Sequence, residues 1–447
     1  MEWKGEVKKR EKAIVMMLLL LFLIPGFILG QSAGGDQYHR GEITYTHNDS
    51  LKQDTLKVDS LVRHLHPNHP RSLLINRPMM LSVKYTGGRV LPSSDPVRGD
   101  NAIPYAQYAE AKLGFSVLGN RWKDIAYGMP YYGIGVGVYD FNRKDFGHPI
   151  SAYLYQGALL YEFSQALQLK YEWNFGVSFN WNTYDPVTNP RNESVSAPVN
   201  VYFAGNLYLN WVLSQYWDLN VGLSINHVSN GATKMPNSGL NTLGTYIGLT
   251  YNFDRERIMR EYNPFLVVPE FRTRFVSDIT VHATKRQRKL PTSETGLSSS
   301  YINHNFFVMG VSYGLLYMPG YKYRYGIGLD GIYDESADFT AQKVGETEKG
   351  DDIVKVLYGK TRNRFALGVS LRGEIVMPKY IVSGEMGYDV IHNNRYDKRF
   401  YQGFSVKVPF WNDLYGSFTL RTKGMSKAQY ILFGVGYVIE HKAKKKG

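Results

Sequence analysis

Residues 201–214 read VYFAGNLYLNWVLS. Val201, Phe203, Leu207, Leu209, Trp211 and Leu213 fall on one side of a two-residue repeat, and Tyr202, Ala204, Asn206, Tyr208, Asn210 and Ser214 fall on the other. In an extended chain successive side chains point to opposite faces, so this segment predicts a strand with one apolar and one polar, small-residue face. The same alternation recurs in NRFALGVSLRGE (363–374). Phe365, Leu367, Val369 and Leu371 there oppose Ala366, Ser370, Arg372 and Glu374. In YLYQGALLYEF (153–163) it sets Tyr153, Tyr155, Leu159, Tyr161 and Phe163 against Gln156 and Glu162. Strands of this length, apolar on one side and ending in Tyr or Trp, predict an all-β, transmembrane antiparallel β-barrel with its apolar side on lipid. A soluble sandwich alternates too, but over strands of about 5 or 6 residues.

The pattern occupies residues 79–441, with strands expected to begin near residues 80, 104, 130, 151, 167, 199, 217, 239, 272, 303, 321, 362, 379, 399, 412 and 428. That is about 16 strands, or about 12 to 14 where short ones merge or lie outside the membrane. Polar gaps at 186–198, 285–300 and 334–361 are expected as extracellular loops. The 44 Gly and 35 Tyr suit tight turns and strands rather than a helical enzyme. With no Cys, thiol chemistry and disulfides are excluded.

Ahead of the strands, a basic leader (KGEVKKREK, 4–12) precedes an apolar run (AIVMMLLLLFLIPGFILG, 13–30) and the small residues of QSAGG. This is the pattern of a secretory signal, expected to comprise residues 1–30. Residues 31–78 then form a polar N-terminal extension, and residues 442–447 a basic tail. The extension contains His64, His66 and His69, but no carboxylate lies close by and Pro interrupts the spacing, so no metal site or cofactor is expected. The formal net charge is +13. On an exported protein that suits an anionic membrane surface, and no nucleic-acid motif accompanies it.

One stretch breaks the pattern: INHVSNGATKMPNSGLN, residues 225–241. Leu219, Val221, Leu223 and Ile225 make the apolar row of the strand before it, opposite Asn220, Ser224 and Asn226. His227 and Ser229 continue the apolar row, so they are expected to face lipid. In the barrel order this strand is the seventh and ends at the outer rim. Asn241 shares the lipid face of the strand that returns. A serine needs a base to become a nucleophile, and the base needs a third group to fix its tautomer. Ser229, His227 and Asn241 can fill those roles. The backbone N–H groups of Asn230 and Gly231 and the amide of Asn237 offer an oxyanion hole. Lys234, in the same loop, could bind an anionic lipid group.

The stretch resembles the signature of the outer-membrane lipid A 3-O-deacylases, the PagL-like family, also called acyloxyacyl hydrolases in Bacteroidetes-type bacteria. The resemblance lies in His227-x-Ser229-Asn230 and in PNSG at 236–239. It implies a bacterial outer-membrane serine esterase that removes an ester-linked acyl chain from lipid A of lipopolysaccharide, with Ser as nucleophile and His as base. The family carries a Glu where this chain has Asn241. NHVSNG is also similar to outer-membrane phospholipase A, whose triad is Asn-His-Ser with the same spacing; the Arg and acidic calcium site it carries shortly after the Asn-Gly are replaced here by Ala232 and Lys234. A non-catalytic barrel, pore or adhesin, and a decayed deacylase kept for structure are the other readings. The smallest barrels of the deacylase family have eight strands, so the second half of this chain is additional.

Overall fold

Alternating faces do become strands, but the strands close in two groups. The computed structural model describes residues 77–91, 103, 105–289, 301–346, 352–423 and 427–441. The expected signal, nearly all of the N-terminal extension with His64, His66 and His69, and the basic tail lie outside them. In the first group β1 (Met79–Leu91), β2 (Ala106–Ser116), β3 (Tyr131–Asp140), β4 (Ile150–Glu162), β5 (Leu167–Phe179), β6 (Asn200–Val212), β7 (Trp217–Ser229) and β8 (Leu240–Asn252) pair in chain order. β8 then pairs back onto β1, from Met80↔Asn252 to Leu91↔Asn241, and shuts an eight-stranded barrel.

The chain continues as β9 (Arg274–Lys289), β10 (Tyr301–Met318), β11 (Tyr323–Asp334), β12 (Phe339–Glu346), β13 (Asp352–Tyr358), β14 (Phe365–Val376), β15 (Ile381–Ile391), β16 (Phe400–Trp411), β17 (Leu414–Lys423) and β18 (Lys427–His441). β12 and β13 form a separate hairpin in the gap expected to be a loop. The other eight close a second barrel through β18 and β9. Two short helices, α1 (Trp122–Ala126) and α2 (Arg255–Glu261), sit in connections, α2 in the one that joins the barrels. The sixteen barrel strands meet the upper end of the expectation, the β12–β13 hairpin adds two more, and the single closed barrel expected over 79–441 is replaced by two. Alternation counts strands; closure depends on the β8–β1 pairing, which no local pattern encodes.

Eight strands leave an interior just wide enough for side chains to fill it. In the first barrel Lys84 meets Glu110 at 2.6 Å and Lys112 meets Glu172 at 2.8 Å. In the second, Lys407 sits 2.5 Å from both Asp278 and Glu374, and Arg372 lies 2.5 Å from Asp330. Buried charges of this kind persist because each is paired. Outside, Val83, Tyr85, Ile134, Val136, Ile247, Leu249, Ile327, Leu329, Val369 and Leu371 are exposed. An apolar exterior around polar interiors is the arrangement of barrels that cross membranes. Among the described residues no helix is long and apolar enough to cross one.

The ends of the strands set the orientation. One rim carries the short turns at 163–166, 213–216, 319–322 and 377–380, with Tyr216 stacked on Tyr251 beside one of them and Trp217 and Phe253 edge-on to the same ring. That rim also carries 117–130 and 253–273, which hold α1 and α2, whereas the other rim carries no turn as short as four residues among the described ones and includes 180–199 and 230–239. Short turns are periplasmic and long ones extracellular, and aromatic girdles mark the interfaces. Ser229 and Leu240 thus lie at the outer rim.

The two barrels touch side by side, and the seam reassigns one strand. Phe203 packs on Phe404 with ring centroids 4.3 Å apart, and Phe175 on Phe418 at 5.0 Å. On β4, Tyr153 and Tyr155 are buried inside the barrel, Tyr153 donating to Glu110 at 2.6 Å, although the residue pattern sets them with Tyr161 on the apolar face. A bulge between Leu159 and Tyr161 reverses the parity. Gln156, expected on the polar face, turns outward into the seam, where its Oε1 accepts from the Lys379 N–H.

Candidate active site

β7 arrives at the outer rim with its inward residues pinned. Asn226 donates to Thr242 Oγ1 at 3.0 Å inside the barrel. Asn226 inside forces His227 outside. In register, His227 lies directly opposite Phe203 on β6 and Asn241 on β8. Residues directly opposite on neighbouring strands share a face and meet. The hairpin register thus turns a separation of 14 residues into a contact: His227 Nδ1 and Asn241 Oδ1 are 2.7 Å apart.

That bond has a chemical consequence. An amide oxygen only accepts, so Nδ1 carries the imidazole proton and Nε2 keeps its lone pair. His227 Nε2 is buried and has no hydrogen-bond partner among the described residues.

Ser229 is 1% exposed. Its Oγ accepts two hydrogen bonds, from the Gly231 N–H at 2.9 Å and from Asn237 Nδ2 at 2.9 Å. No hydrogen bond joins Ser229 to His227 among the described residues. The two border one space, left by Gly239. A Cβ at position 239 would lie 3.4 Å from Ser229 Cβ and 3.6 Å from His227 Cε1, and the φ of +64° there disfavours any side chain. Unliganded sites commonly hold base and nucleophile further apart than the reacting complex does.

The loop opens on two consecutive positive φ values, +60° at Gly231 and +62° at Ala232, and closes on the one at Gly239. The Asn230 N–H, expected to face an oxyanion, instead donates to Asn237 Oδ1 at 3.4 Å and so orients that amide. Asn230 Nδ2 and Ser196 Oγ both donate to the Lys234 carbonyl at 2.9 Å, and the Gly239 N–H donates to Ser194 O at 3.2 Å. Lys234 is exposed. The structure thus gathers His227, Ser229, Asn241, Gly231 and Asn237, and leaves the Lys234 side chain at the edge.

Facing also differs in detail. His227 and Ser229 continue the outward row, but Ser229 lies beneath its own loop, and Gly231 of that loop rests against Ile431 of the second barrel. Ile431 and Gln287, which also touches the loop, escape sequence reasoning, because both are distant in the chain and lie in segments with no motif. Ser194 and Ser196 belong to the 186–198 gap, where polar composition indicated a loop but no contact.

A closed, lipid-facing barrel with a buried serine, an oriented histidine and convergent N–H donors at its outer rim defines a membrane-embedded hydrolase of the bacterial outer membrane. Residues 169–250 match the family described as "Lipid A 3-O-deacylase (PagL)", and residues 278–442 match "Acyloxyacyl hydrolase, C-terminal domain". The first match falls on the strands that carry the candidate site, and the second falls on the strands of the second barrel. No curated protein matches it in sequence. Among solved structures it is similar to the outer membrane enzyme PagL (15% identity, 37% of this chain and 97% of that one, TM-score 0.26). It is also similar to Neisserial surface protein A (9% identity, 39% and 97%, TM-score 0.26). A third is the siderophore receptor PirA from Pseudomonas aeruginosa (9% identity, 82% and 81%, TM-score 0.22).

Proposed function

We propose that the protein is a serine esterase that removes one ester-linked acyl chain from lipid A at the outer rim of the outer membrane. Ser229, His227 and Asn241 form its triad. The observation that carries this reading is the 2.7 Å bond from His227 Nδ1 to Asn241 Oδ1, which leaves Nε2 free as a base beside a serine already under two N–H donors. Ser229 Oγ attacks the ester carbonyl while its proton passes to His227 Nε2. The carbonyl oxygen takes up negative charge and is held by the Gly231 N–H and Asn237 Nδ2. Collapse expels the sugar hydroxyl, which takes the proton back from His227. Water, deprotonated by the same nitrogen, then releases the fatty acid and restores Ser229.

The site supports lipid A as substrate through its position. The outer leaflet of such membranes is lipopolysaccharide, and a nucleophile at the rim meets the esters near the sugar headgroup. Lys234, exposed in the loop, can pair with a lipid A phosphate. Amide-linked chains should survive, because an amide carbonyl resists attack more than an ester does.

Asn241→Ala is expected to lower kcat by about tenfold to a thousandfold, since the imidazole loses the partner that fixes its tautomer. Asn241→Glu should remain active, because a carboxylate accepts from Nδ1 as well. Steady-state kinetics on purified lipopolysaccharide checks both. An Asn241→Ala enzyme as fast as wild type would remove Asn241 from the triad.

Calcium separates this reading from a phospholipase. The turn after Asn230 presents Ala232, Thr233 and Lys234, where a calcium site needs several oxygen ligands and no neighbouring cation. Turnover is expected to be unchanged by EDTA. Loss of activity with EDTA and recovery with calcium would move the protein toward the phospholipases.

A further inference from the structure

We propose that the second barrel is part of the catalytic apparatus: Gln287 and Ile431 are positioning residues that hold the 230–239 loop, and with it the Gly231 N–H and Asn237, on Ser229. This rests on the reading of Ser229 as nucleophile given above.

The contacts run from one barrel to the catalytic loop of the other. β18 stops pairing with β9 at Phe433↔Ala283, so the outer end of β9 has an edge without a β18 partner. The loop takes that edge. The Gln287 N–H donates to the Ala232 carbonyl at 2.7 Å, and Gln287 Oε1 accepts from the Met235 N–H at 2.9 Å. The two bonds bracket residues 232–235. Gln287 alternates on the outer face of β9 with Lys285 and Lys289, which are exposed, whereas Gln287 is 8% exposed. An outward polar side chain at a barrel rim is buried here because the loop covers it.

Ile431 supplies the third contact. It is 2% exposed, although Phe433 and Val435 on the same face are open. A Cβ built on Gly231 would fall 2.0 Å from Ile431 Cγ1. The Gly231 backbone therefore lies directly on the isoleucine, and no larger residue fits. Its N–H is the one that reaches Ser229 Oγ. The first barrel holds the other side of the loop through Ser194 and Ser196. Between them the loop is clamped on both flanks.

Clamping matters because oxyanion donors act only when preorganised, and a displacement of about 1 Å can cost about a hundredfold. The Asn230 side chain ties the loop to itself through the Lys234 carbonyl, and the flank contacts fix where that unit sits over Ser229. This gives the region matching the C-terminal domain a role in the reaction rather than only in the membrane.

The test compares full-length variants on purified lipopolysaccharide in detergent micelles, with the rate of Ser229 labelling by a fluorophosphonate as a second readout. Gln287→Met keeps the shape but lacks the acceptor, and should lower kcat and labelling about tenfold with KM within about twofold. Gln287→Glu keeps an acceptor for Met235 and should restore most of both. Ile431→Ala should slow turnover and Ile431→Val should do so less. Heat-modifiable gel mobility reports that both barrels remain folded, so a purely structural role would not yield selective loss of kcat with rescue by Glu. Wild-type rates in both Gln287→Met and Ile431→Ala, or a Glu variant no better than Met, would overturn the clamp. Ser229→Ala is run beside them. If it is dead while the clamp variants are fully active, only the clamp falls. If it is active, the esterase reading falls and takes the clamp with it.

Discussion

Replacing Ser229 by Ala is expected to lower ester hydrolysis by at least about a thousandfold while both barrels stay folded. The substitution deletes one oxygen. In the proposed mechanism that oxygen is the nucleophile, and it is the shared acceptor of the Gly231 N–H and Asn237 Nδ2. Stability should change little, because Ser229 ends β7 at the rim and its Oγ bonds only to its own loop. His227→Ala should match it, since an unassisted serine hydroxyl is a poor nucleophile. Product analysis by mass spectrometry reads the activity, and heat-modifiable mobility reads the fold. Activity within about tenfold of wild type in either variant contradicts the triad.

The second large effect falls on Asn237. Asn237→Ala should cost about a hundredfold to a thousandfold in kcat, the range seen when one oxyanion donor is removed, with little change in KM. The reason is geometric. Asn237 Nδ2 is 2.9 Å from Ser229 Oγ, and its Oδ1 is held by the Asn230 N–H, so the amide is aimed before substrate arrives. Asn237→Asp should be as poor or worse, since it sets a carboxylate where negative charge must develop. Single-turnover rates with each variant separate this from altered binding. An Asn237→Asp enzyme near wild type would show that the amide donates nothing to the transition state.

Much of this was legible in the residues. The expected strand starts fall within about three positions of those observed throughout, because a polar lumen and a lipid exterior impose period two on each strand. The same parity placed His227 and Ser229 on the outer face and Asn241 beside them, and the register agrees. Parity misled where a strand is irregular: the bulge before Tyr161 put Tyr153 and Tyr155 inside. It was silent on long-range matters. Alternation could not say that β8 returns to β1, so one barrel was expected where two exist. The β12–β13 hairpin lies in a polar stretch whose pairing has no lipid face to pattern it. Gln287 and Ile431 carry no local signal, because their roles come from a contact between segments more than fifty residues apart.

The most direct measurement is the lipid A of cells that produce the protein, compared with cells producing Ser229→Ala. Mass spectrometry should show the loss of a single ester-linked hydroxyacyl unit, with amide-linked chains retained, and the Ser229→Ala cells should keep every chain. Lipid A unchanged in both strains, with lysophospholipid and free fatty acid accumulating only where Ser229 is intact, would contradict lipid A deacylation and identify a phospholipase.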